Sequence, residues 1–98
     1  MVIGSLVLTL HLPDSQSLKA KRQVVSSLTA RMRRTFNIAV AEVDSLDSWQ
    51  LAVIGVTCVS NDGRHAEQML RKVADWVAED GGGGEALLTR QDIELIRL

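Results

Sequence analysis

Ninety-eight residues make one domain and are too few for two independent hydrophobic cores. An apolar share of 46% against 23% charged excludes an intrinsically disordered chain. A net charge of -1 excludes a uniformly basic nucleic-acid binder, and the single cysteine, Cys58, excludes an intramolecular disulfide and fits a reducing cytosol.

The first fourteen residues, MVIGSLVLTLHLPD, are apolar but carry neither a leading Lys or Arg nor a small-residue cleavage site. They read as part of a cytoplasmic protein rather than as a secretion signal, and they are too short to span a bilayer as a helix. Within residues 2–12 the side chains alternate. Val2, Leu6, Leu8, Leu10 and Leu12, with Gly4, share one face; Ile3, Ser5, Val7, Thr9 and His11 share the other. This predicts a strand with one apolar and one mixed face, ended by Pro13-Asp14-Ser15.

Residues 17–35 change to helical period, with Ser17 or Ser15 as the N-cap. Leu18, Val25, Leu28 and Met32, flanked by Val24, form the apolar stripe. Lys19, Arg22, Ser26 and Arg33 lie opposite, with Arg34 at the edge, and Lys21 falls inside the stripe. Phe36–Val43 is a predicted strand, residues 44–48 a polar connection, and Trp49–Val59 a second strand of a hairpin. Both faces of that last strand are apolar, which marks it as central in a sheet. Ser60-Asn61-Asp62-Gly63 opens a second helix, whose stripe is Ala66, Met69, Leu70, Val73, Trp76 and Val77. Gly81–Gly84 ends it. Ala86–Leu98 closes the chain as a β-ribbon.

The order β-α-β-β-α-β with short right-handed crossovers predicts an α+β, ferredoxin-like arrangement over residues 1–98. Such a domain is a four-stranded antiparallel sheet with two helices on one face. The face left over carries Ile3, Val7 and one side of the 49–59 strand, which predicts a homodimer through that face or through a sheet edge.

Several chemistries fail on residue count. An iron–sulfur cluster needs about four thiolates, and a CxxC metal carrier needs two; the chain has one. With Phe36, Trp49 and Trp76 as its only aromatics, the chain makes a poor base-stacking platform. The loop after the first strand contains no glycine with which to cradle an anion. His11 and His65 lie in different elements with no metal-ligand spacing around them, and no nucleophile-elbow sequence is present. No catalytic residue, metal site or cofactor is therefore expected, and the chain is read as a non-enzyme. Glu42, Asp44 and Asp47 read as a solvated hairpin end, with Glu42 and Asp44 on one strand face by alternation. Cys58 reads as a small core or interface hydrophobe.

The strongest local feature is charge. Residues 15–41 hold Lys19, Lys21, Arg22, Arg31, Arg33 and Arg34 and no acid, while the rest of the chain holds 12 acids against 5 basic residues, a net of -7. These six are the candidate nucleic-acid-binding residues, alongside the backbone N–H groups at the helix start. Positive charge in the last turn also complements the helix dipole. Lys21 has a second reading: its stem lies along apolar surface, or its ammonium pairs with Glu42 or Asp44.

The stretches Ser17-Leu18-Lys19-Ala20-Lys21-Arg22, Phe36–Val43, Trp49-Gln50 and Val59-Ser60-Asn61-Asp62 resemble, in this order and spacing, the YlxP-like family of small bacterial proteins of unknown function. The resemblance runs over nearly the whole chain. It implies the same ferredoxin-like fold and a cytoplasmic protein whose gene commonly lies among those for translation initiation and ribosome maturation. It brings no catalytic residues. Two functions are carried forward. One is an accessory factor that binds RNA or a ribosomal particle through its basic first helix; the other is a small-ligand-binding or regulatory dimeric module without catalysis.

Overall fold

In the computed structural model, which describes residues 1–80 and 83–98, the chain runs β1 (Val2–His11), α1 (Leu18–Thr35), β2 (Ala39–Asp44), β3 (Leu51–Ser60), α2 (Gly63–Asp80) and β4 (Leu87–Arg97). The strands form one antiparallel sheet in the order β2-β3-β1-β4, so β1 and β3 are interior; for β3 this is what its two apolar faces predict. Both helices cover one face. This is the predicted ferredoxin-like arrangement. Of the predicted Gly81–Gly84 turn, Gly81 and Gly82 lie outside the described residues, while Gly83 and Gly84 adopt positive φ of 75° and 87°, which glycine reaches without steric cost.

The covered face is built from the alternation in β1. Leu6, Leu8 and Leu10 point between the helices and are almost wholly buried, as are Ala52, Ile54 and Val56 of β3. Leu28 and Met32 from α1, and Ala66, Leu70, Val73 and Val77 from α2, close over them. Each such leucine, taken out of water, contributes about 1.5–3 kcal/mol. Gly4 sits where α2 crosses β1: a Cβ there would lie 2.9 Å from Leu70 Cδ1 and 3.0 Å from Cys58 Sγ. Its missing side chain lets α2 press directly onto the sheet. Cys58 is buried at the same point, and that burial pushes its thiol pKa up, against a smaller lowering by the Gly4 backbone hydrogen bond.

Three local expectations are corrected. Phe36 does not begin a strand. Its N–H donates to Met32 O at 2.9 Å and closes α1, and its ring meets Trp76 edge-on, with centroids 5.9 Å apart and planes at 87°. Trp49 also lies outside β3, in a loop of residues 45–50 that is one residue longer than the predicted connection, and it is exposed. Finally, Glu42 and Asp44 do not share a face. A register shift between them sets Glu42 opposite Ile54, on the helix-covered side, and Asp44 opposite Val53, on the open side.

Candidate nucleic-acid interface

Helix α1 starts as the sequence predicts. Ser17 is extended at φ -162° and ψ 161°, and its Oγ accepts from Ala20 N at 3.0 Å. One turn in, the apolar stripe is interrupted by Lys21, which has no exposed surface. Its Nζ donates to Ser45 O at 2.9 Å, Leu46 O at 3.2 Å and Leu51 O at 3.2 Å, and lies 2.9 Å from Glu42 Oε2. An ammonium has three protons. Three carbonyls take them, so the carboxylate balances the charge without receiving a hydrogen bond, and Glu42 Oε2 is buried with no hydrogen-bond donor. Of the two sequence readings for Lys21, the ion pair with Glu42 is the one observed.

Lys21 is thereby removed from the nucleic-acid-binding set: a side chain enclosed by the β2–β3 loop cannot reach a phosphate. What it does instead is hold that loop. Ser45, at φ 55°, turns the chain, its N–H accepted by Asp44 Oδ1 at 2.6 Å, and Ser48 N donates back to Ser45 O at 3.0 Å. From the other end of the loop, Gln50 Nε2 donates to Pro13 O at 3.2 Å and Ser15 O at 3.3 Å. The two segments that carry the family resemblance, Ser17–Arg22 and Ala41–Gln50, therefore meet in space, with Lys21 fastening α1 to the hairpin and Gln50 fastening the hairpin to the β1–α1 connection. From sequence, Gln50 enters only as part of the Trp49-Gln50 stretch of the resemblance, with no role attached, since a lone glutamine beside a tryptophan carries no periodic signal.

The other five cations divide. Arg31 is half-buried, donates through Nη1 to the Asp80 carboxylate of α2, and stands 5.8 Å from the Trp76 ring centroid. It is a helix–helix tie, and its charge is matched. Arg33 is exposed, but its Nη2 donates to Val40 O at 2.8 Å. Lys19, Arg22 and Arg34 are exposed and border one shallow, open depression on the outer face of α1, together with Gln23, Ser26, Ser27 and Ala30. Among the described residues, none of Lys19, Arg22, Arg33 and Arg34 is in an ion pair. The six predicted residues are thus not one patch: four remain at the surface along a helix face about 22 Å long.

The histidines stand apart. His11 is half-buried at the end of β1, and His65 Nδ1 lies 3.4 Å from Ser60 Oγ. Among the described residues no group of three or more His, Cys, Asp or Glu side chains converges, and no helix is long and apolar enough to cross a membrane.

Residues 3–90 match the family described as "Protein of unknown function (DUF503)", and the chain belongs to it. It is 31% identical over 64 residues to "Uncharacterized protein YlxP" of Bacillus subtilis (strain 168), an alignment covering 65% of this chain and 70% of that protein. The YlxP-like resemblance read from the sequence is therefore correct. Among solved structures the fold resembles "De novo designed protein Foldit4", with a TM-score of 0.54 and 7% identity over all of this chain and 99% of that one. A weaker likeness, TM-score 0.45 and 18% identity over all of this chain and 92% of the other, is to a crystal structure of a dimeric ferredoxin-like protein of unknown function from Thermobifida fusca YX.

Proposed function

We propose that this chain is a non-catalytic accessory protein of the bacterial cytoplasm that associates with structured RNA or a ribosomal particle through the outer face of α1. The observation behind this reading is the set of four surface cations, Lys19, Arg22, Arg33 and Arg34, on a helix without an acidic residue, set against a chain whose remainder is net acidic. Phosphate-backbone contacts need cations that are exposed and not already neutralised, and these are.

The test is co-sedimentation with ribosomal subunits and anisotropy with labelled RNA over a salt series. With the duplex coefficient, four contacts give a slope of log K against log salt of about -3.6, where six would give about -5.4. The triple variant K19E/R22E/R34E should abolish association while leaving thermal stability within about 0.5 kcal/mol, as surface changes do. Failure to associate at low salt overturns the reading. The second reading, a small-ligand module, draws on the apolar open face of the sheet. A thermal-shift screen against nucleotides and amino acids tests it, and a shift with no RNA association would favour it.

A further inference from the structure

The sheet face opposite the helices is ordered in a way that periodicity alone does not reveal. Across β3, β1 and β4, the register aligns Val59, Ile3 and Ile96 in one row at one end of the sheet and Leu51, His11 and Leu87 in another at the other end. Between them lie Thr57, Gly55 and Val53 on β3 and Ser5, Val7 and Thr9 on β1. Val43 of β2 lies over Gly55, its Cγ1 occupying space 2.8 Å from where a Cβ would stand, so the gap at the glycine is filled from the neighbouring strand. Five strand residues are large, hydrophobic and exposed: Val43, Leu51, Val59, Leu87 and Ile96. All five are on this face.

Charge on the face is confined to its outer strands, Asp44 on β2 and Arg90, Asp92 and Glu94 on β4. The two central strands present none, apart from the titratable His11 at one end. An uncharged centre of small and aliphatic side chains, with large aliphatic residues at both ends and charge confined to the outer strands, can be buried in a protein interface without burying an unpaired charge.

We propose that a second copy of this chain packs face to face on the open side of the sheet, giving a four-layer helix–sheet–sheet–helix dimer. The area fits. Three strands of about 33–36 Å and the shorter β2 of about 20 Å, at about 4.8 Å spacing, present roughly 590 Å² per protomer, or about 1,200 Å² in total, which reaches the lower end of the range of stable specific interfaces. Sheets stacked in this way lie about 10 Å apart with side chains interdigitating, as aliphatic residues at alternate positions permit. The inference is independent of RNA binding: α1 lies on the far side of each protomer and stays exposed.

Sedimentation equilibrium on the intact chain at 1–100 μM tests it. The expected mass is twice the 10.7 kDa of the protomer. Two substitutions at the surface of the face, Val59→Lys and Leu51→Lys, should each raise the dimer dissociation constant at least tenfold, with circular dichroism unchanged to show that the fold persists. Gln91→Pro, which changes the outer strand β4, should leave the dimer intact. A monomer at 100 μM overturns the proposal. So does a dimer that withstands both lysine substitutions but is lost in Gln91→Pro, which would place the contact at the sheet edge.

Discussion

Lys21 is the residue on which the arrangement of the hairpin depends. Replacing it by Met keeps the length of the stem but leaves the Ser45, Leu46 and Leu51 carbonyls without their donor and Glu42 without its counter-charge. Breaking a buried pair from one side costs about 3–5 kcal/mol, measured as a loss of unfolding free energy in urea. The companion change Glu42→Gln leaves the three carbonyl bonds in place, so it should cost clearly less than Lys21→Met; the reverse order would mean that the carboxylate, not the carbonyls, holds the ammonium. Cys58 gives a second residue-scale prediction. A buried thiol with a raised pKa should be inert to a disulfide reagent at neutral pH until the protein unfolds. Because the folded state holds the thiol protonated, the stability it contributes is complete below the ordinary thiol value of about 8.5 and declines as pH rises above it. Urea midpoints of the native protein and Cys58→Ala at pH 7 and pH 10 check this, the native protein losing more between the two.

At the scale of elements, α1 is the one whose two faces do different work. Its N-cap is testable: Ser17→Ala removes the acceptor for Ala20 N and should lower stability by about 1 kcal/mol without moving RNA affinity, read from thermal melts and anisotropy together. The separation matters because Lys21→Met and the outer-face charge reversals make opposite predictions, one altering stability and the other association. The elements themselves were legible. Alternation in β1 and β3 and the 3.6 period of both helices are long enough to determine type, face and neighbours. The junctions were less so. Phe36 and Trp49 have strand-forming side chains, yet a cap hydrogen bond with an aromatic contact decided the first, and carbonyls turned toward Lys21 decided the second. The Glu42/Asp44 shift follows from one extra residue in an edge strand, which no period records. For the candidate site, sequence located the basic helix but could not separate Lys21 and Arg31, both occupied within the fold, from the cations that face water.

For the molecule as a whole, charge is sorted by layer. The outer face of α1 is cationic, the core between helices and sheet encloses one matched pair, and the open side of the sheet is neutral at its centre. In the proposed dimer the two cationic helices fall on opposite outer surfaces, about 30–40 Å apart by the thickness of four layers. One dimer would then engage two phosphate backbones, or two stretches of one, and the apparent affinity for long RNA should exceed that for a short oligonucleotide by far more than the ratio of their lengths. Comparing the intact chain with Val59→Lys on the same two RNAs isolates this effect: the substitution should weaken binding to the long RNA only.

The strand order has a consequence for biosynthesis. β1 is the first strand made and lies in the interior of the sheet, between β3 and β4. Once Ser60 has emerged from the ribosome, β1 can pair with β3, but its other edge stays open until β4 is translated, about 37 residues later. At 5–20 residues per second that interval is about 2–7 seconds. Throughout it, the Val2–His11 segment presents a row of unpaired backbone groups along the β4 edge, which the two helices, packed on the sheet face, do not pair. Nascent chains halted between α2 and β4 should therefore be the species that chaperones hold most tightly and that aggregates most readily.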